Sequence, residues 1–571
     1  MKLKRGVDAA WRGWCDFVRV GKTPRGNDVA LSLNTLQREV AVLVSIFNDV
    51  VGPVMRGPSS SHCAAALRIG RISRDLMEGE IDHVLVQFDT GGSLPATHQS
   101  QGSDMGLFGG LLGWEADDDR LPDSGDWLKK SGIDLQFEYG DYGDPHPNTY
   151  RLTLKNSARQ LQVIAISTGG GMFEIVEING AVVSIGGDFD ETLVWGSEQL
   201  AGLDAQTLCD ELGADQVTIS AGNDLTLVHI QGQQGFSRNR INALISEQTI
   251  KQVDHATAVL PVRSRKELQV PFQTCDAMLK YAQRYCDENN LSSLSLCDLA
   301  LHYESARSGL GEAELIEKMC GIVRILRGSV DQGLAGTSYE DRVLGFQSGG
   351  FQKAMEARQL LDGGILNRMV LYTSALMEVK SSMGVIVAAP TAGACAAFPA
   401  ACLAVGESQQ LSDGEIAKGM LAGGMVGVFI ATHWSFAAEV GGCQAEGGSA
   451  SAMSAAALVT FMGGDAAMAC GAASMSMQNM LGLICDPVAN RVEVPCLGKN
   501  VLAVSNALSA ANMSLAGFDA VIPLDETIAA AKAVAERMPR EHRCTALGGL
   551  AITPTSLAIQ KRLEGCGNCG C

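Results

Sequence analysis

Positive charge is scarce in this chain. Lys and Arg total 44 against 63 Asp and Glu, a formal net charge of −19 over 571 residues. Phosphate binding wants a basic face, so nucleic acid is excluded as a main partner, and so is an anionic membrane surface. Charged residues are only 19%, yet 46% are hydrophobic, which excludes a disordered chain and supplies a large globular core. An apolar signal core is missing from the basic opening Met1–Gly26, which carries Asp8 and Asp16 and reads as an N-terminal extension. With no secretory signal and an odd 17 cysteines, a disulfide framework is not expected. The thiols should be reduced and mostly buried, in a cytoplasmic setting. Leu/Ile/Val-rich spans are also missing. The apolar stretches Val385–Val405 and Leu421–Val440 are interrupted by Pro390, Pro399, Gly423, Gly424, His433 and Glu439, and read as buried helices.

What is present is organised in blocks, and at roughly 150 residues per domain the length suggests three or four. Residues 44–188 read as α+β: a helix over Ala65–Met77, a strand at His83–Phe88, and turn-rich sequence through Gly140–Asn148. Strands at Thr149–Leu154 and Leu161–Ser167 come next, the second ending in Gly169–Gly171. Residues 189–263 read as βαββαβ: strand Leu193–Trp195, helix Gln206–Leu212, strands Gln216–Ile219 and Leu225–Ile230, helix Arg238–Ile245 and strand Gln252–Val262. That order is ferredoxin-like, the plan of small ACT modules. Over 266–564 strand signals nearly vanish, and Ala, Gly, Met, Leu and Ser predict an all-helical domain with helices at Ala313–Leu326, Arg368–Val379 and Glu526–Met538. Residues 565–571 form a Gly/Cys tail.

Three cysteines sit beside glycine or proline where the backbone can bend around a ligand. They are Cys443 in Gly-Gly-Cys-Gln-Ala-Glu-Gly-Gly, Cys485 in Ile-Cys-Asp-Pro and Cys496 in Val-Pro-Cys. Their spacings match neither zinc-finger nor ferredoxin patterns. From the residues alone they stand as a candidate three-thiolate metal site or as buried small hydrophobes.

From about residue 45 to 560 the chain resembles the iron–sulfur-dependent L-serine dehydratases. The resemblance is carried by Gly52-Pro53-Val54-Met55, Gly57-Pro58-Ser59-Ser60-Ser61-His62, Gly169-Gly170-Gly171, Ala389-Pro390-Thr391-Ala392-Gly393, Gly442-Cys443-Gln444-Ala445-Glu446, Cys485-Asp486-Pro487-Val488, Val494-Pro495-Cys496 and Gly548-Gly549-Leu550-Ala551. It implies the family's β-type and α-type parts fused in one chain, with an ACT-like module between them. It also implies a [4Fe–4S] cluster on Cys443, Cys485 and Cys496, with one iron left open as a Lewis acid for a small amino-acid substrate. Ser59, Ser60, Ser61, Thr391 and Gly393 are the implied substrate-binding residues. His62 is the first candidate for the base that removes the Cα proton; His98 and His146 are the alternatives, and the competing reading of both is that they orient loops. In some relatives a C-terminal cysteine returns to the open iron at rest, which here implies Cys571, with Cys569 or Cys566 as alternates. The other reading of the tail is a redox-active or metal-scavenging segment.

The expected reaction is dehydration and deamination of L-serine to a 2-oxo acid and ammonia. Threonine, 3-hydroxyaspartate and cysteine are alternative substrates, and a non-catalytic iron–sulfur sensor is the rival class. A pyridoxal-phosphate route is disfavoured, because no lysine lies in a recognisable Schiff-base context. A homodimer is expected. The first loop of the ACT-like module, Gly196–Gln206, lacks the residues with which such loops bind a small effector, so a structural role is equally open. The chain departs from the family at Thr432-His433-Trp434-Ser435-Phe436, at Ser348-Gly349-Gly350, and at Arg543-Cys544-Thr545, where relatives commonly carry Arg-Glu-Thr.

Overall fold

The computed structural model describes residues 43–566, except 58, 100, 267, 340 and 341. The extension 1–42 and the tail cysteines Cys569 and Cys571 lie outside the described residues. The chain enters through the apolar turn Ile46–Val50, whose Phe47 and Asn48 N–H groups donate to the Ser45 hydroxyl. This turn is embedded in the helical region: Ser45 Oγ donates to Glu304 at 2.6 Å, and Tyr303 donates to the Val44 carbonyl at 2.9 Å. A short strand, β1 (Val54–Arg56), comes next.

Alternating apolar and polar residues then build a six-stranded sheet. Its strands are β2 (His83–Asp89), β3 (Asp134–Gly140), β4 (Thr149–Lys155), β5 (Gln160–Gly169), β6 (Met172–Ile178) and β7 (Ala181–Ile185), in spatial order β3-β2-β4-β5-β6-β7. Only the β2–β3 pair is parallel. The helix Cys63–Leu76 supplies Ala65, Ala66, Ile69, Ile72 and Leu76 to the core with Val84, Val86, Leu152 and Val163. Two features depart from the sequence expectation. The stretch before β4 holds helices Leu94–Thr97, Ser103–Leu111 and Ser124–Lys130 as well as β3, although its glycines and prolines read as turns. Packing against Cys63–Leu76 outweighs that weak local propensity. The glycine run is not the end of the sheet but the hairpin joining β5 to β6. Gly169 pairs with Met172, and Gly170 and Gly171 both adopt positive φ, as a two-residue primed turn requires.

The next four strands are β8 (Asp190–Gly196), β9 (Gln216–Ala221), β10 (Thr226–Gly232) and β11 (Ile250–Ala256). They lie in order β11-β8-β10-β9, every neighbour antiparallel, with helices Ala205–Leu212 and Arg238–Asn242 between them in sequence. β10 is buried along its whole length because both faces are covered. Val194, Val228 and Ile230 meet Leu208, Leu212 and Ile241 on one face, whereas Leu193, Trp195 and Leu227 join the core of the larger sheet on the other. β11 stops at Ala256 rather than running to Val262, since the N–H groups of Val259 and Leu260 turn to the Gly187 carbonyl.

Beyond residue 274 the described chain is helical apart from β12 (Val385–Val387). β12 pairs antiparallel with β1 and ties the N-terminal segment to the helices. The apolar stretch Val385–Val405 is therefore strand, loop and the helix Ala397–Ser408, because Val-Ile-Val finds a strand partner and Pro390 breaks the chain's regular structure just beyond it. At the centre lies Asp413–His433, opened by a Ser412–Glu415 capping box. Among the described residues it is the one helix long and apolar enough to cross a membrane, and 78% of its most apolar window is buried inside the protein. Its small residues allow close approach: a Cβ on Gly427 would sit 2.2 Å from Val50 Cγ1.

Candidate active site

Two groups of the singled-out residues emerge, connected through the β1–β12 pair. The first surrounds the loop between β1 and the helix Cys63–Leu76. Ser59 Oγ lies 2.8 Å from His62 Nδ1, and Thr97 Oγ1 lies 3.0 Å from Nε2. Thr97 also donates to the Ser93 carbonyl at 2.8 Å. The tautomer that satisfies all three contacts has Nε2–H donating to Thr97 and Ser59 donating to the Nδ1 lone pair. His62 is 8% exposed. With no carboxylate against it, burial pulls its pKa down to about 4, so the ring is neutral at ordinary pH. Ser60 is buried, and the Ser61 carbonyl accepts from Ser167 Oγ at 2.7 Å. His146 sits on the neighbouring loop, half-buried, with Nδ1 accepting from the Asn148 N–H at 3.2 Å. That loop packs on Ser93, whose hydroxyl reaches Asn148 and whose carbonyl accepts from Thr97. His98 is turned away. Its ring packs at a tilt against Phe88 and Phe137, and both nitrogens are engaged, Nδ1 with Asp104 at 2.7 Å and Nε2 with Tyr139 at 3.0 Å.

The second group gathers the cysteines. Cys443 opens the single wide turn Gln444–Gly448. Gln444 holds this turn against the segment leading to Cys485: its N–H donates to the Leu483 carbonyl at 2.9 Å, and its side-chain carbonyl accepts from Gly482 N–H at 2.8 Å. Cys443 and Cys485 are thereby packed together in one small buried cluster with Ala438, and the neighbouring Cys443 thiol together with burial pushes the Cys485 pKa up. Cys496 begins the helix Cys496–Leu515 and lines a cavity with Cys443, Glu446, Lys499, Asn500 and Gly393. Burial pushes its thiol up to about 12. Among the described residues no three His, Cys, Asp or Glu side chains converge on a point suited to one bare metal ion.

Side chains that the sequence reading did not single out complete this pocket. Lys499 Nζ donates to the Ile484 carbonyl at 2.6 Å and to Asp486 at 2.5 Å, and lies 3.6 Å from Cys443 Sγ. Burial alone would lower its pKa, but Cys443, Asp486 and Cys485 more than offset this, and it titrates above its ordinary value. Thr391 Oγ1 donates to Glu446 at 2.8 Å, and a Cβ on Gly393 would come within 2.7 Å of that carboxylate. Desolvation raises Glu446 to about 7, against the Thr391 hydrogen bond, which lowers it. Asn500 donates to the carbonyls of Gly393 and Cys496, both at 2.9 Å, fixing the Thr391–Gly393 loop to the cysteine helix. Asp486 also accepts from the Leu550 N–H at 2.9 Å. Gly549 permits that approach, since a Cβ there would meet Asp486 at 2.6 Å. Glu446 was legible beside Cys443 in its segment; Lys499 and Asn500, one helical turn beyond Cys496, carried no local signal.

The fold and this thiol-lined pocket define a chain with a β-rich part and a cysteine-bearing helical part. A family model described as serine dehydratase alpha chain matches residues 266–551. The L-serine dehydratase alpha chain of Peptoniphilus asaccharolyticus is 35% identical over 286 residues, covering 50% of this chain and 98% of the relative. The probable L-serine dehydratase beta chain of Bacillus subtilis (strain 168) is 39% identical over 150 residues, 26% of this chain and 67% of the relative. L-serine dehydratase 2 of Escherichia coli (strain K12) aligns over 530 residues at 25% identity, 89% of this chain and 99% of the relative. The chain belongs to the serine dehydratase family, with beta and alpha parts fused in one polypeptide.

Proposed function

We propose that this chain dehydrates and deaminates L-serine to pyruvate and ammonia, with a [4Fe–4S] cluster held by Cys443, Cys485 and Cys496. The observation that carries this reading is that Cys443 and Cys496 line one cavity while buried Cys485 packs against Cys443, with the Lys499 cation 3.6 Å from Cys443. An all-thiol donor set is soft and suits iron–sulfur chemistry. In a polynuclear cluster the thiolates bind different metal atoms and need not meet at one point. When bound, the cluster supplies a Lewis-acid iron for the substrate's carboxylate and β-hydroxyl oxygens.

The chain's own residues do the rest. Lys499 offsets the negative charge of the thiolates, and Asn500 with Thr391 keeps the pocket wall in place beside the Glu446 carboxyl. His62, neutral and held by Ser59 and Thr97, accepts the Cα proton at Nδ1 once substrate displaces the Ser59 hydroxyl. Ser59, Ser60 and Ser61 offer hydrogen bonds to the substrate carboxylate. His98, with both nitrogens engaged, orients its loop; His146 remains the second candidate base. In this reading residues 189–263 form an ACT-like module, the enzyme is a cytoplasmic homodimer, and Cys571 is a resting-state ligand from the tail.

The test is anaerobic reconstitution with iron and sulfide, and then 2-oxo acid release from serine, threonine, cysteine and 3-hydroxyaspartate. Pyruvate from serine is the expected result. Failure of all four substrates with a fully loaded cluster overturns the lyase reading.

A further inference from the structure

We infer that Glu446 binds the α-ammonium group of the substrate and selects amino acids over hydroxy acids; this rests on the reading of the pocket as the site of serine dehydration. L-Serine brings four features to such a site: a carboxylate, a β-hydroxyl, a Cα–H bond and an ammonium. The first three are met by the cluster iron, Ser59–Ser61 and His62. The ammonium has no partner among these groups, and a cation taken out of water needs an anion beside it.

Among the described residues, Glu446 is the one carboxylate that lines the cavity shared by Cys443 and Cys496. Among the same residues, its carboxylate accepts one hydrogen bond, from Thr391 Oγ1 at 2.8 Å. That hydroxyl is oriented by its neighbour: its oxygen accepts from the Ala394 N–H at 3.2 Å, which leaves its proton for the carboxylate. The two lysines whose charge reaches Glu446 are committed elsewhere. Lys499 pairs with Asp486 and donates to the Ile484 carbonyl, and the fully buried Lys380 donates to the Val492 carbonyl. Asp486 is satisfied by Lys499 and by the Leu550 N–H. Glu446 therefore keeps lone pairs free for a cationic donor, and a charge-assisted hydrogen bond is the strong kind.

The fold fixes the carboxylate in place. Gly393 lies so close that a Cβ there would stand 2.7 Å from Oε1 and 2.8 Å from Oε2. Both oxygens are thus held at the wall formed by the Thr391–Gly393 loop, which Asn500 ties to the helix Cys496–Leu515. Glu446 itself belongs to the turn Gln444–Gly448 that Cys443 opens. Carboxylate and cysteines therefore share one cavity on the same two segments. A substrate held there by its oxygen atoms brings its ammonium, which shares the Cα with the carboxylate, to the wall that Glu446 forms. The ion pair also has a chemical use. It keeps the amine protonated, and a protonated amine draws electrons from Cα and makes its proton easier to remove.

The experiment compares the anaerobically reconstituted full chain with Glu446→Gln and Glu446→Asp at matched iron and sulfide content. Binding of L-alanine and L-lactate is measured by calorimetry. The two ligands differ by an ammonium against a hydroxyl, and neither carries a β-hydroxyl to eliminate. Wild type should bind alanine more tightly than lactate. In Glu446→Gln the ratio of the two dissociation constants should move toward lactate by roughly 30-fold or more, with Glu446→Asp between the two. The KM for serine should rise in Glu446→Gln by a similar factor. An unchanged alanine-to-lactate ratio in Glu446→Gln, or a KM at the wild-type level, overturns the inference. Where Glu446→Gln takes up no iron and sulfide, the wild-type arm decides, and alanine bound no more tightly than lactate overturns it. A loaded wild type that releases no pyruvate from serine, whatever the alanine and lactate constants, overturns the dehydratase reading instead.

Discussion

The loop around His62 and the pocket around Cys443 are both largely buried, yet they manage burial in opposite ways. His62 is surrounded by hydroxyls and carbonyls, so desolvation acts unopposed and holds the imidazole neutral. The cysteine pocket instead places a lysine, an aspartate and a glutamate among thiols, so charges compensate one another. The first environment suits a group that must accept a proton. The second suits a site that must hold negative thiolates around a cationic centre. The scaffolds differ accordingly. The histidine loop hangs between a strand and a helix of the β-rich part, whereas the cysteines sit on turns and a helix start braced by Gln444 and Asn500.

The comparison breaks most sharply at the thiols. Replacing Cys443, Cys485 or Cys496 by serine should abolish both bound iron and activity, read by iron analysis and pyruvate release on the same sample. His62→Ala should leave iron content at the wild-type level while kcat falls by roughly 10²–10⁴. Parallel loss of iron in that variant would show that the two groups are not functionally separate. Lys499→Met should retain the fold but weaken cluster retention roughly tenfold, measured by competition with a chelator, because the cation 3.6 Å from Cys443 is gone.

Stability probes sharpen the same contrast. Gly427→Ala should cost about 1–3 kcal/mol by thermal unfolding, because Val50 and the facing helix cannot both yield to a new Cβ. The smallest effect is expected at Glu446. Its folded pKa of about 7 lies above the ordinary 4.5, so the protonated form is favoured by folding. The stability linked to it is present at low pH and lost as pH rises through about 7. The apoprotein should therefore lose about 1 kcal/mol between roughly pH 6 and pH 8 from this group, and Glu446→Gln should flatten that part of the profile.

Sequence patterning made the sheets and helices legible wherever one face alone was buried. β2, β4 and β5 alternate; the βαββαβ order of residues 190–256 was legible instead from short apolar runs bounded by turn residues, since β8 and β10 are buried on both faces. Patterning failed where packing overrode local signals: the helix Ser103–Leu111 is glycine-rich, and β12 is only three residues long. At the site, motif segments carried Cys443, Cys485, Cys496, His62 and Thr391, because each sits in a distinctive local run. Lys499 and Asn500 lie on a regular helix whose sequence says nothing of what it faces.

The central claim is that three cysteines hold a cluster with one iron addressable by substrate. Mössbauer spectroscopy of the chain reconstituted with isotopically enriched iron, recorded with and without L-serine, tests it most directly. The account predicts four irons per chain, one of which changes its signal when serine is added. A chain without cluster iron, or four irons indifferent to serine, would contradict it.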